Sequence, residues 1–334
     1  MYLNAYGGIG LSIMKSAKEK LLYAPSSIAG LALGVGSLGW CWENAYTFNG
    51  FSKWFAATIA CSLLFILFIK FCLHPKQLKS ELAHPVIGSV LPTFAMALMI
   101  VSHSIGEFNP NVGDGIWLFA IMMHVIFMIT FVYHRIKSFK LHHMVPSWFI
   151  PPVGIIVADV TFSGRSDLAP IAHVALLFGT AACVVMLPLM FYRLLFTDPI
   201  ADTEKPTIAI LAAPASATLA GYLSLIEQPS PVLVGILFGI AILLTSVIYC
   251  AFFRLLRLPF NASFASFTFP MVIGSTALYK LAHWMELQGI PTQYVHQINQ
   301  LAYFELIIAT LVVMYVCTRF VIFYGRFESV NKAI

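Results

Sequence analysis

Charge is scarce in this chain. Lysine, arginine, aspartate and glutamate make up 10% of its 334 residues, against about 25% in an ordinary soluble domain. Apolar residues reach 60% and mean hydropathy is +0.86. A soluble globular domain is excluded, and an integral, multi-pass membrane protein is expected. The formal charge of +5 is spread over short loops and forms no basic patch, so nucleic acid is not an expected partner. The six cysteines, Cys41, Cys61, Cys72, Cys183, Cys250 and Cys317, fall inside or at the ends of apolar segments. They read as buried free thiols and not as a disulfide framework. Catalytic machinery is missing as well. There is no phosphate-cradling glycine loop and no nucleophile beside a base, and His142 and His143 are adjacent rather than at metal-ligand spacing on a helix. No enzyme, cofactor or metal site is expected. Asn261-Ala262-Ser263 matches a glycosylation sequon but falls on the expected cytoplasmic side. Met1–Ala24 is polar and glycine-rich, so no cleavable signal peptide is expected.

Ten apolar segments of spanning length are present. They lie near 24–42, 53–73, 86–104, 115–135, 148–163, 170–194, 207–226, 231–254, 262–284 and 299–323. The expected organisation is a tail over 1–23, a membrane domain over 24–323 and a second tail over 324–334. Basic residues recur before the first segment and after each even one: Lys15, Lys18 and Lys20, then Lys70, Lys76 and Lys79, then Arg135, Lys137 and Lys140. Arg193 and Lys205, Arg254 and Arg257, and finally Arg319, Arg326 and Lys332 continue the series. The opposite loops hold only Lys53, Arg165 and Lys280, with Glu43, Glu107, Asp114, Asp167, Glu227 and Glu286. The asymmetry places both termini in the cytoplasm.

A repeat underlies the segments. Pro92, Pro152, Pro214 and Pro270 sit inside odd-numbered segments, 60, 62 and 56 residues apart. Pro85, Pro146, Pro206 and Pro259 precede them near the segment starts, where a missing N–H has no intrahelical role. A proline inside a helix removes a hydrogen bond and kinks it, and in a membrane such a break belongs against protein or a water-filled path. The first segment has Gly30, Gly34, Gly36 and Gly39 instead, which also permit bending and close approach. The pattern predicts five helical hairpins, with the odd helices as an inner ring and the even helices as an outer one.

Four stretches in order, HPVIGSVLPTF from His84, WFIPPVGIIVADVTFSG from Trp148, APASATLAGYLS from Ala213 and PFNASFASFTFP from Pro259, resemble the tellurite-resistance/dicarboxylate transporter family, which includes the plant guard-cell slow anion channels. The similarity runs from about Ser26 onward. It implies an all-α fold of ten transmembrane helices, paired as five hairpins in a quasi-five-fold ring around a central pore. It also implies one pore per subunit, a homotrimer in the cell (inner or plasma) membrane, and anion conduction gated by a phenylalanine of the ninth helix. Phe269, in the Thr-Phe-Pro step, matches that position. Bacterial family members carry glycine after this phenylalanine, and Pro270 is closer to the plant channels.

The residues themselves suggest how such a pore would handle anions. The middles of the inner segments contain no lysine or arginine, so anion preference falls to hydroxyls and to backbone N–H groups at helix breaks. Expected pore-lining residues are Ser89, Thr93, Ser216, Thr218, Ser266, Thr268 and Ser275, with Phe94, Phe149 and Phe267 as further rings. An apolar ring such as Phe269 gates by excluding water. Asp159 and Glu305 are intramembrane acids and candidates for proton coupling, Asp159 alternatively paired with Arg165. His124 and His173 read as polar contacts within the bundle. Two functions stay open. One is a channel for small monovalent anions such as chloride or nitrate. The other is a proton-coupled transporter or exporter of dicarboxylate, sulfite or tellurite-related anions, which the lack of a basic pair disfavours.

Overall fold

The computed structural model describes residues 18–19 and 21–330, with side chains through Tyr324. Most of the expected tails, with Lys15, Lys20, the Arg326 side chain and Lys332, lies outside the described residues. Among those described the chain is helical, without strands. We number the long helical stretches α1 (Ile28–Ala45), α2 (Phe51–Leu73), α3 (Ile87–Gly106), α4 (Pro110–Lys137), α5 (Pro146–Val160), α6 (Ala169–Phe196), α7 (Lys205–Leu225), α8 (Pro231–Leu255), α9 (Thr268–Leu287) and α10 (Thr292–Val330). Seven of them, α2, α3, α4, α6, α7, α8 and α10, are long and apolar enough to cross a membrane. A short helix that the sequence reading missed, Pro75–Ala83, links α2 to α3.

The helices divide by burial. Over their most apolar stretch α3 and α7 are 72% buried, whereas α2, α4, α6, α8 and α10 lie between 22 and 33%. α1 and α9 are less apolar but are buried along most of their length. A helix enclosed by protein need not meet lipid and can carry glycine and hydroxyl residues. The most extensive packing joins α9 to α10 and to α1, α1 to α2 and to α3, α3 to α4, and α7 to α9. α5 packs between α7 and α3. Of the six cysteines, all free, only Cys41 and Cys183 are buried. Cys61, Cys72 and Cys250 are exposed on outward faces, because α2 and α8 cover the core with one side only. This corrects the expectation that all six thiols are buried.

The prolines do not break mature α-helix. Pro92 occupies the turn between Ile87–Val90 and Thr93–Gly106. Pro214 is the second residue of Ala213–Leu225, after the 3-10 stretch Lys205–Ala212. Pro270 is the third residue of α9, after the 3-10 stretch Ala262–Phe267. Pro152 lies in the short α-turn Ile150–Val153, between 3-10 turns on either side. Pro152, Pro214 and Pro270 sit where 3-10 turns meet α-helix, and Pro92 caps Thr93–Gly106 after the short α-turn Ile87–Val90. First-turn N–H groups there have no intrahelical partner, so the proline costs far less than in a helix interior. Asn261, the sequon residue, accepts from the Ser263 amide at 2.8 Å and caps the turn leading to α9.

The α1–α9 contact is the closest approach next to the candidate site. A Cβ added at Gly34 would lie 2.3 Å from Thr268 Oγ1 and 3.1 Å from the Phe269 amide nitrogen. Thr268 Oγ1 already donates to Ala265 O at 2.7 Å and lies 3.2 Å from Gly30 O. Gly34→Ala is therefore expected to destabilise by about 1–3 kcal/mol through overpacking, read as a lower melting temperature in detergent. An unchanged melting temperature would contradict this packing.

Candidate functional site

One internal cavity draws its wall from α1, α3, α5, α7 and the turns that open α9. Gly30 and Leu33 come from α1, Thr93 and Met96 from α3, Phe149 and Val157 from α5, Pro214 and Ala217 from α7, and Ser266, Phe269 and Pro270 from the α9 segment. The wall carries no ionisable side chain and two hydroxyls, Thr93 and Ser266. Three of the helix seams open onto it, at Thr93, at Ala213–Pro214 and at Phe269–Pro270. Phe269 is 8% exposed. Its backbone is anchored through Thr268 against Gly30 and Gly34 of α1.

The sequence expectations divide sharply at this wall. Phe269, Phe149, Thr93 and Ser266 lie on it; the other expected lining residues do not. Phe267 faces the opposite way, fully buried, with its ring 4.9 Å from Phe264 and 5.4 Å from Phe252. Phe94 is not on the wall but packs against the core cluster that holds Leu33, Met96 and Phe269. Ser89 donates to Val86 O and meets Ser147 Oγ at 2.7 Å. Ser216 and Thr218 return their protons to Ala212 O and Pro214 O one turn back. Ser275 donates to Ala302 O of α10 at 2.7 Å and pairs with Cys41 Sγ. In each case a buried hydroxyl found a carbonyl within its own bundle, as buried polar groups do. Thr93 also spends its proton, on Val90 O at 2.7 Å.

A voltage-dependent anion channel family model, SLAC1, matches residues 23–325. The chain belongs to this family. Two uncharacterised transporters of Methanocaldococcus jannaschii resemble it, one 27% and one 26% identical, each over 251 residues. The alignments cover 66% of this chain and 73% and 72% of theirs. A sulfite efflux pump of Arthroderma benhamiae is 25% identical over 153 residues, 39% of this chain and 41% of its own. The family is one of channels and transporters rather than enzymes. The chain is accordingly a multi-pass membrane protein of that class.

Within this SLAC1-family chain the intramembrane acids stand off the cavity wall. Asp159 is 1% exposed, and neither carboxylate oxygen has a hydrogen-bond partner; it faces Gly221 of α7. The alternative pairing with Arg165 is not formed. Arg165 instead holds Asp114 at 3.0 Å and Asp167 at 2.5 Å, and its hydrogen bonds keep the loop carboxyl of Asp167 below its usual range. Glu305 is 3% exposed and leaves Oε2 unpartnered. A Cβ on Gly274 of α9 would lie 2.6 Å from that oxygen. His124 Nε2 lies 2.8 Å from Pro151 O, tying α4 to the α5 seam. His173 Nδ1 lies 2.8 Å from Ala169 O in its own helix.

Sequence reasoning missed that several basic residues counted only for orientation are buried ties. Lys70, Arg135 and Arg193 are 1, 7 and 2% exposed. Lys70 reaches Ala24 O, Ser26 and Glu81. Arg135 donates to Ala83 O, and Arg193 to Asp198 O and His142 O. Their recurrence once per hairpin, at the end of each of the first three even helices, was the available signal. Lys280, counted with the opposite loops although inside the expected 262–284 segment, lies within α9.

Proposed function

We propose that this chain conducts small monovalent anions, such as chloride or nitrate, through the cavity among α1, α3, α5, α7 and α9, with Phe269 as the gate. The observation that carries the reading is a single cavity walled by those five helical segments, without an ionisable side chain, with the matched phenylalanine on its wall. In this reading ten helices cross the membrane as five hairpins. The odd helices form a quasi-five-fold inner ring and the even helices face lipid. Both termini are cytoplasmic, in a cell (inner or plasma) membrane, and three subunits each carry a pore. The N-termini of the α-helical halves beginning at Thr93, Ala213 and Thr268 meet the cavity. Their positive dipole ends favour an anion without binding it tightly. Rapid passage needs that weakness, and an apolar ring across a narrow path keeps it dry when closed.

Ser266 is half-buried on the wall, and its hydroxyl is bonded to no carbonyl among the described residues. It is the side-chain donor best placed to meet an anion. Flux of chloride and nitrate into vesicles carrying the purified protein tests the function. Selective anion uptake is expected. Ser266→Ala should change the nitrate-to-chloride ratio by about threefold or more, and Thr93→Ala by less, since one hydrogen bond is worth about 0.5–1.5 kcal/mol. Equal ratios in all three proteins would remove Ser266 from the pathway.

A second reading is proton-coupled export of sulfite or a related oxyanion, with dicarboxylate and tellurite-related anions in the same class. The similarity to a sulfite efflux pump and the unpartnered carboxylates of Asp159 and Glu305 favour it. Uptake that follows an imposed proton gradient, and that Asp159→Asn or Glu305→Gln abolishes, would select this reading over the channel.

A further inference from the structure

The cavity wall can be followed along its helices toward the side away from the start of α1 and the end of α10. An α-helix turns 100° and rises 1.5 Å per residue, so positions seven or eleven residues apart share a face. On α9, Lys280 is eleven residues after Phe269, roughly 20° from it in direction and about 16 Å further along. On α3, His103 follows Met96 by seven residues. On α1, Trp40 follows Leu33 by seven, and on α7, Ser224 follows Ala217 by seven. Each lies roughly 20° from a wall residue and about 10 Å beyond it. The four side chains are half-buried, as residues around an open mouth would be. Their contacts agree with this placement. Trp40 stacks on His103 with ring centroids 4.2 Å apart. His103 Nδ1 lies 3.3 Å from Thr161 O at the end of α5. The Lys280 charge is felt at His103, less than those of Lys53 and Glu107.

The charges around this mouth are unequal in availability. Glu107, beside His103, is engaged by Lys53 at 2.5 Å and by Trp54 Nε1 at 3.0 Å. Asp114 is engaged by Arg165. Glu43 accepts from Ser52 and from the amides of Phe48 and Gly50. Asp159 is enclosed between α5 and α7. Lys280 has no hydrogen-bond or ion-pair partner among the described residues. Of the acids on this side, Glu43, Glu107, Asp114 and Asp159 are paired or enclosed, while Glu227 and Glu286 are exposed beyond Ser224 and Lys280 without an ion-pair partner among the described residues. Lys280 is the ammonium on the wall's continuation.

We propose that Lys280, on the same side as the Trp40-stacked His103, forms an anion-gathering site at the mouth of the pathway away from the start of α1 and the end of α10. The ligand class is a small inorganic monovalent anion such as chloride or nitrate. The inference rests on the pore reading above and adds to it where anions are concentrated before they reach Phe269. A cationic mouth raises the local anion concentration and the rate of encounter, and salt screens the effect.

The test uses the full chain in planar bilayers, with Phe269→Ala as the conducting parent and Lys280→Gln, Lys280→Glu and Lys280→Arg added to it. Chloride conductance is measured from about 10 mM to about 1 M, with the dilute solution on each side in turn. Lys280→Gln is expected to lower low-salt conductance by roughly three- to tenfold for chloride arriving from the mouth side. Lys280→Glu should lower it further, and Lys280→Arg should retain it. The differences should close near 1 M, where screening acts within about 3 Å. A lysine that only snorkels to the membrane surface would leave every curve on that of the parent. That result, with a conducting parent, overturns this inference and leaves the pore reading standing. A parent without anion current overturns both.

Discussion

Phe269→Ala is expected to raise anion current about tenfold or more, equivalent to lowering the barrier to passage by about 1.4 kcal/mol. The ring stands on the wall of a cavity that is otherwise apolar except for two hydroxyls, so its removal widens the path where water is least welcome. The backbone beneath it is clamped. Thr268 bonds to Ala265 O and Gly30 O, and Gly34 leaves room only for the Thr268 side chain. The truncation therefore removes the obstruction without releasing the helix. Phe267→Ala serves as the contrast. That ring is fully buried against Phe252 and Phe264, so its loss should cost about 3–5 kcal/mol of stability and leave the current per folded molecule unchanged. Equal currents from the native chain and Phe269→Ala would place the gate elsewhere.

Lys70→Met is expected to be among the most destabilising single changes. Lys70 Nζ donates to Glu81 Oε1 at 2.7 Å, Ala24 O at 2.9 Å and Ser26 Oγ at 3.2 Å. Ser26 donates in turn to Glu81, and Gln77 donates to it at 3.1 Å. The Lys70 and Glu81 side chains are 2 and 7% exposed. The cluster fastens the end of α2 to the Pro75–Ala83 helix and to the chain just ahead of α1. Methionine keeps the volume but leaves the Glu81 carboxylate buried without its cation, supported only by Ser26 and Gln77, and the Ala24 carbonyl without this donor, at a cost of about 3–5 kcal/mol. Lys70→Met/Glu81→Leu removes both charges and should recover most of that loss, since replacing a whole buried pair is often close to neutral. Melting in detergent separates the cases. A double variant no more stable than Lys70→Met would mean that the damage comes from packing and not from the orphaned charge.

Much of the helical order was legible in the sequence, because it is written in long apolar runs and in proline punctuation. The observed helices begin and end within a few residues of the expected segments, apart from α9, whose α-helix starts at Thr268 after a 3-10 stretch from Ala262, and α10, which runs Thr292–Val330 and not 299–323. Thr292–Gln297 is polar, and hydropathy cannot distinguish a polar helical turn from a loop. The Pro75–Ala83 helix was hidden for the same reason. The sequence reading put Pro92, Pro152, Pro214 and Pro270 inside helices as kinks, whereas they lie at helix starts. Only the hydrogen-bond register shows that 3-10 turns precede Pro152, Pro214 and Pro270 and place them in a first turn, and that Pro92 is an N-cap. Within the cavity, sequence alone could not decide which hydroxyls face it. Ser216 and Ser266 look alike on paper, and what separates them is a carbonyl one turn back that takes the Ser216 proton. Lys280 was counted with the loops by its charge, although the expected 262–284 segment already contained it. A half-buried lysine on a protein-enclosed helix breaks the rule that apolar runs define spans, and the α9 register exposes the departure.

The most direct test of the account is the reversal potential of the Phe269→Ala current under a chloride gradient, recorded at two proton gradients. A channel of the proposed kind reverses near the chloride equilibrium potential and does not move when the proton gradient is changed. A reversal that shifts with the proton gradient, at constant chloride, would contradict passive conduction and make coupled export the function of this cavity.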